Sequence, residues 1–269
     1  IISAIFDPSV HTNRDLLTEL EGGIQKIIIN HAELIENPTD FFKGIYFDFI
    51  DLELNIESNH TENLTILGQY LESEEVKFTV QTELEKIPAI FRDSKVNYSR
   101  IHSDKEIIEE LRSRVQEIIY KADNHSTQEE ILTYLKRVRF ERVLSKDIIR
   151  EIAIRETIIR LWTSIIRGFD IEYFPLKMRA CCKPSESLEL ETNYIELGAK
   201  TLTAVMSGYE EILTFPAKDD AFHRRLSRNI HHLLTLESFM DKTGTAYQGS
   251  VQIHHIATEL YQAVWKSIK

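Results

Sequence analysis

The two cysteines of this chain are neighbours, Cys181 and Cys182, within the stretch MRACCKPSES at residues 178–187. Such a pair can act as a nucleophile, as part of a soft metal site, as a disulfide, or as two small apolar side chains. A bond between adjacent cysteines strains the peptide that joins them, which argues against a disulfide here. Arg179 and Lys183 flank the pair and would lower a thiol pKa. A nucleophile also needs a base held by a third group, and no such triad is legible. Along a strand successive side chains point to opposite faces, so one sulfur looks into a barrel or its mouth and the other toward helices. On chemistry alone, a buried small side chain is the better reading.

Other polar residues fall where strands are expected to end: Asp7, Asn30, Asp51, Glu53, Thr82, Glu83, His102, Ser145, Asp147, Lys183 and Lys218. Among them Asp7, Glu53, His102 and Asp147 are hard or borderline metal ligands. They form no compact motif such as HExxH or CxxC, so no metal ligand is assigned. The pairs His231-His232 and His254-His255 are adjacent in sequence. Neighbours on a helix point about 100° apart, so neither pair chelates one ion easily.

The elements that would position these residues alternate. Strands are expected at residues 2–6, 24–30, 45–52, 76–82, 95–102, 137–144, 176–182 and 211–217. Helices are expected at 12–21, 64–71, 105–122, 127–135, 147–166, 193–206, 221–240 and 251–268. The run IQKIII is rich in β-branched residues, with Ile27-Ile28-Ile29 continuous, the pattern of a strand buried on both faces. Ser103-Asp104 reads as the cap of the 105–122 helix, and Ser145 or Asp147 as the cap of the helix that follows the sixth strand. Eight strands alternating with helices in 269 residues favour a (β/α)8 barrel over an open doubly wound sheet. Neither GxGxxG nor GxxxxGK[ST] occurs, which counts against a Rossmann or P-loop domain. With no linker in the composition, residues 1–269 read as one barrel domain.

Composition narrows the setting. A hydrophobic fraction of 42% supports a sizeable core, and a net charge of −11 repels phosphate backbones, so no nucleic-acid partner is expected. No apolar run approaches the roughly 18 residues of a membrane span. The opening IISAIFDPS lacks a basic n-region, and two cysteines fit a reducing cytoplasm. In that setting the sequons at Asn59, Asn63, Asn97 and Asn124 carry no meaning. A start on Ile1 rather than Met reads as a trimmed fragment.

The C-terminal third carries a resemblance. FHRRLSRNIHHLLTLESFMDK at 222–242, then GTAYQGSVQIHHIATELYQAVWKSI, is similar to the closing segment of methylmalonyl-CoA mutases. RLSRN (225–229), Glu237-Ser238, Asp241-Lys242, Gly249-Ser250 and Val264-Trp265 match that segment in order. KDIIREIAIRETIIRLW (146–162) and NYIELGAKTLTAVMSGYEEI (193–212) resemble two further helices of the family. HTNRDLLTELEGGIQKIII resembles the start of the small, partner subunit of the two-chain mutases. The likeness is strong from Lys146 onward and looser between Phe41 and Val96.

The departures matter as much. The catalytic subunits carry a histidine in an RxHxQTSGW stretch on strand seven, and here Cys181 falls in its place. The resemblance therefore implies a degenerate site at Cys181, with no catalytic or cofactor-binding residue assigned. The cobalamin domain with its DxHxxG ligand has no counterpart, so adenosylcobalamin is expected only in a large partner subunit. The implied function is small subunit of an isomerase that interconverts methylmalonyl-CoA and succinyl-CoA in propionate metabolism. The chain would be a non-catalytic partner in a heterodimer, or a homodimer in the partner's absence. An independent barrel enzyme using Asp7, Glu53, His102 and Asp147, with or without a metal, is the alternative. A third reading keeps acyl-CoA binding through Arg179 and Lys183. Bulky strand residues (Ile27, Ile28, Ile29, Tyr46, Phe47, Phe49, Phe78, Tyr98, Phe140 and Phe215) are expected to fill the barrel, about half of them facing inward by alternation. Phe239, Tyr247, Ile253, Tyr261 and Trp265 are the expected interface anchors.

Overall fold

The computed structural model describes all residues except 59, 85–86, 103–105, 186–188, 243–246 and 269. The cap expected at Ser103-Asp104 and the sequon at Asn59 lie outside the described residues. The chain is α/β, with eight parallel strands flanked by helices as a (β/α)8 barrel. Strand order is β4-β3-β2-β1-β8-β7-β6-β5. In chain order the elements are β1 (Ile2–Phe6), α1 (Asn13–Glu21), β2 (Lys26–Ile29), α2 (Pro38–Phe41), β3 (Asp51–Asn55), α3 (Thr61–Ser73), β4 (Phe78–Gln81), α4 (Ala89–Asp93) and β5 (Asn97–Ile101). There follow α5 (Ile107–Asp123), α6 (Gln128–Arg137), β6 (Val138–Val143), α7 (Ile148–Gly168), β7 (Lys177–Cys182), α8 (Leu190–Ser207), β8 (Glu211–Thr214), α9 (Ala221–His232) and α10 (Val251–Ile268). The chain divides into two compact units, Ile1–Asn97 with Leu213–Asn229, and Tyr98–Ile212 with Ile230–Lys269.

In the first unit, alternation decides which side chains meet the helices. Phe6, Ile27, Ile29, Leu52, Leu54 and Val80 join Leu16, Leu64, Leu67 and Phe91 in one apolar core. The opposite strand faces carry Ser3, Lys26, Ile28, Glu53 and Asn55 instead. At the start of α1 the Asp15 carboxylate takes the Thr12 N–H at 2.9 Å and its hydroxyl at 2.8 Å, closing the first turn. α1 stops at Gly22, whose Cα lies against the guanidinium of Arg228, itself paired with Glu19. Any side chain at position 22 would strike that group.

The third strand corrects the sequence reading. The aromatic run at 45–50 is not extended. Phe47–Phe49 is a 3-10 turn, with Tyr46 75% and Phe49 84% exposed, and β3 begins at Asp51. Alternation is nevertheless intact within DLELN, which places Leu52 and Leu54 toward the helices.

In the second unit, Ile101, Val138, Phe140, Met178, Ala180, Cys182 and Ile212 pack beneath α5, α7, α8 and α10. Asp147 caps α7 by accepting the Arg150 N–H at 3.1 Å. α8 ends at Gly208, whose φ of 76° is the left-handed conformation glycine adopts without strain. No helix among the described residues is long and apolar enough to cross a membrane.

The expectation about barrel filling is corrected for several residues. Ile27, Ile29, Phe78 and Phe140 pack with the helix-side cores, whereas Tyr46, Phe47 and Phe49 lie off the strands. The faces turned away from the helices carry the pairs Lys26–Glu53, Arg100–Glu141 and Arg179 with Glu141 and Glu211.

Candidate functional site

The end of β7 is built by alternation. Met178, Ala180 and Cys182 enter the helix-side core, leaving Arg179 and Cys181 on the other face. The two sulfurs thus separate as a strand requires, and both are thiols. Cys181 is 2% exposed and Cys182 fully buried. Burial pushes the Cys181 thiol well above its usual range, and the nearby Glu141 adds to that rise. The Arg179 and Lys183 charges act in the opposite direction without reversing it. The thiolate a nucleophile needs is therefore disfavoured.

Arg179 is occupied as well as buried. Its Nε donates to Glu211 Oε1 at 2.6 Å, its Nη1 to Glu141 Oε2 at 3.1 Å, and its guanidinium lies 4.5 Å from the Tyr98 ring centroid. Arg100 reaches the other oxygen of Glu141 at 3.1 Å. Two guanidinium groups and two carboxylates thus balance on one face of β5–β8. An arginine so engaged is not presented to a phosphate or carboxylate ligand. Lys183, expected to join it, has an exposed side chain, and its carbonyl accepts Lys200 Nζ at 2.7 Å.

The residues grouped as metal ligands have separate occupations. Asp7 accepts the Ser9 N–H at 2.9 Å and its hydroxyl at 2.6 Å. Partial burial would raise the Asp7 pKa, but the Ser9 bonds and the neighbouring His31 and His11 hold it below the usual range. Glu53, 0% exposed, meets Lys26 Nζ at 2.7 Å. His102 is exposed and contributes its backbone, donating its N–H to Glu110 at 2.8 Å and accepting from Arg142. Asp147 is an exposed helix cap. No group of three His, Cys, Asp or Glu side chains suited to a metal ion occurs among the described residues. Of the remaining candidates, Thr82 accepts the Leu84 N–H, Ser145 accepts that of Asp147, and Asp51, Glu83 and Lys218 are exposed. Asp51 opens its strand rather than closing it.

Three groupings were not legible beforehand. Arg142 and Glu151 form a two-pronged pair, 2.9 and 2.8 Å, with side chains 2% and 0% exposed. His11, 8% exposed, receives the Asp7 N–H on Nδ1 at 3.0 Å and turns Nε2 toward Asp219, which Arg224 holds at 2.7 Å. Asn30 and Asn55 join at 2.7 Å beyond β2 and at the end of β3, with Gln81 beside them on β4. Asn55 would have surfaced had DLELN, rather than the aromatic run before it, been taken as the strand.

The expected interface anchors mostly face their own unit. Ile253 is buried, Tyr247 bonds Arg155 at 3.3 Å, Tyr261 meets Ser164 at 3.0 Å, and Trp265 stacks on Tyr261 at 6.2 Å. Phe239 alone of the five stays largely exposed, at 55%.

Near the end of β7 the Cys181 thiol is thus kept protonated, and within the strands Arg179 is held by Glu141 and Glu211. No family model and no curated protein matches the sequence.

Proposed function

We propose that this chain is the non-catalytic small subunit of a methylmalonyl-CoA mutase-like isomerase, a cytoplasmic barrel that supports a larger, homologous catalytic chain. The interconversion of methylmalonyl-CoA and succinyl-CoA, and the adenosylcobalamin it needs, belong in this reading to the partner. The observation that carries the reading is the buried thiol near the end of β7. Cys181 stands where the resemblance expects the family's histidine, and it is a buried thiol with a raised pKa. A thiol in that setting lacks the second ring nitrogen and the near-neutral pKa of an imidazole. The residues present therefore do not fit the cofactor. Arg179, the other group on that face, is neutralised by Glu141 and Glu211.

The purified chain, incubated with adenosylcobalamin and methylmalonyl-CoA, is expected to form no succinyl-CoA and to elute without corrin absorbance. Turnover, or corrin that follows the protein through gel filtration, would overturn the reading.

A further inference from the structure

We propose that Tyr46 and Phe49 are the centre of a contact with a second copy of this chain, made by the isolated chain about a two-fold axis. The two side chains are 75% and 84% exposed. Phe49 donates its N–H to the Tyr46 carbonyl at 3.3 Å, closing the 3-10 turn between them. Such a turn repeats every three residues, so both rings leave it along one edge. The neighbouring residues fix that edge. Ile45, Phe47 and Ile50 pack into the core of the first unit, and the Phe47 ring meets Phe42 edge-on at 5.4 Å. The aromatic pair is thus displayed on a turn already held from beneath, and docking it costs little further ordering. Aromatic side chains are enriched among the anchors of interfaces.

Charge selects the occupant. Lys43 and Asp48, both exposed, flank the pair with opposite signs. In a two-fold contact a patch meets itself, so what one residue faces on the partner faces that residue in return. Lys43 of each copy then meets Asp48 of the other, and the patch complements itself. Away from such a balanced patch, the net charge of −11 sets two copies against each other. The same net charge opposes an anionic lipid surface. Two aromatic side chains at these exposures bring roughly 300 Å² per copy, against about 800 Å² per side in a standard interface. The contact is therefore small and reversible, and it does not rest on the mutase reading.

Sedimentation velocity of the isolated full chain across a concentration series is expected to show monomer and dimer in exchange. Tyr46→Ser with Phe49→Ser is expected to give monomer throughout, with an unchanged circular dichroism spectrum. Lys43→Asp is expected to weaken dimerisation roughly tenfold, and Lys43→Asp with Asp48→Lys to restore it. A wild-type chain that stays monomeric at every concentration would overturn the proposal, even if the same two rings then bound a larger chain or a lipid surface. So would a dimer that survives the double serine variant, or a double charge swap that fails to restore it. If the serine variant does not fold, the charge swap decides alone.

Discussion

Cys181 and His231 are both buried, and burial acts on each by penalising its charged form. For Cys181 the charged form is the thiolate, so the thiol persists at neutral pH. Reaction with iodoacetamide at pH 7 is expected to be slow in the native protein and fast only on unfolding. Cys181→Ala is expected to cost about 1 kcal/mol, the loss of one sulfur's packing. Rapid, selective native-state alkylation would contradict this and restore the nucleophile. For His231, 2% exposed, the charged form is the imidazolium, and burial pushes its pKa from 6.5 down to about 4. The unfolded chain then takes up the proton first. Stability from this group is whole above pH 6.5, falls as pH drops toward 4, and is level below. The total loss is about 3 kcal/mol. In His231→Gln, denaturant titrations across that window are expected to show a pH slope smaller by about one proton; an unchanged slope would contradict the assignment.

At the scale of elements, Arg142 on β6 and Glu151 on α7 connect a strand, a helix and two loops. Glu151 also accepts the Ser145 N–H at 3.1 Å, and Arg142 donates to the His102 carbonyl. Arg142→Met leaves a carboxylate buried without its countercharge, at a cost of about 3–5 kcal/mol. Arg142→Met with Glu151→Met is expected to recover most of that loss, read as the shift in urea midpoint. Equal losses in the single and double variants would show that the pair is not the source. This pairing is nine residues apart in sequence and crosses from strand to helix, so no periodicity announces it. The elements themselves were far more legible. The β-branched run at β2, the helical spacing of α5 and Gly208 at the end of α8 all express short-range rules. β3 starts later than its sequence suggests because IYFDFI has strong strand propensity but no sheet neighbour to pair with, and propensity yields to tertiary context. The same shift hid Asn55, which closes the strand instead of lying beyond it.

At the scale of the whole molecule, eight strands alternating with helices predicted the (β/α)8 fold, because alternation at this length leaves few other arrangements. The candidate site was legible only in part. Its residue types were visible, but which charges neutralise one another depends on strands far apart in sequence, as with Arg179, Glu141 and Glu211. Tyr261 and Trp265 of α10, expected as interface anchors for their aromatic character, pack against α7 and its core. The central claim is that this chain serves a homologous catalytic chain. The most direct measurement is co-expression with a large methylmalonyl-CoA mutase subunit, affinity capture through a tag on this chain, and light scattering of the eluted species. The account predicts a one-to-one complex that carries corrin and mutase activity; capture of this chain alone, with the large subunit active and unbound, would contradict it.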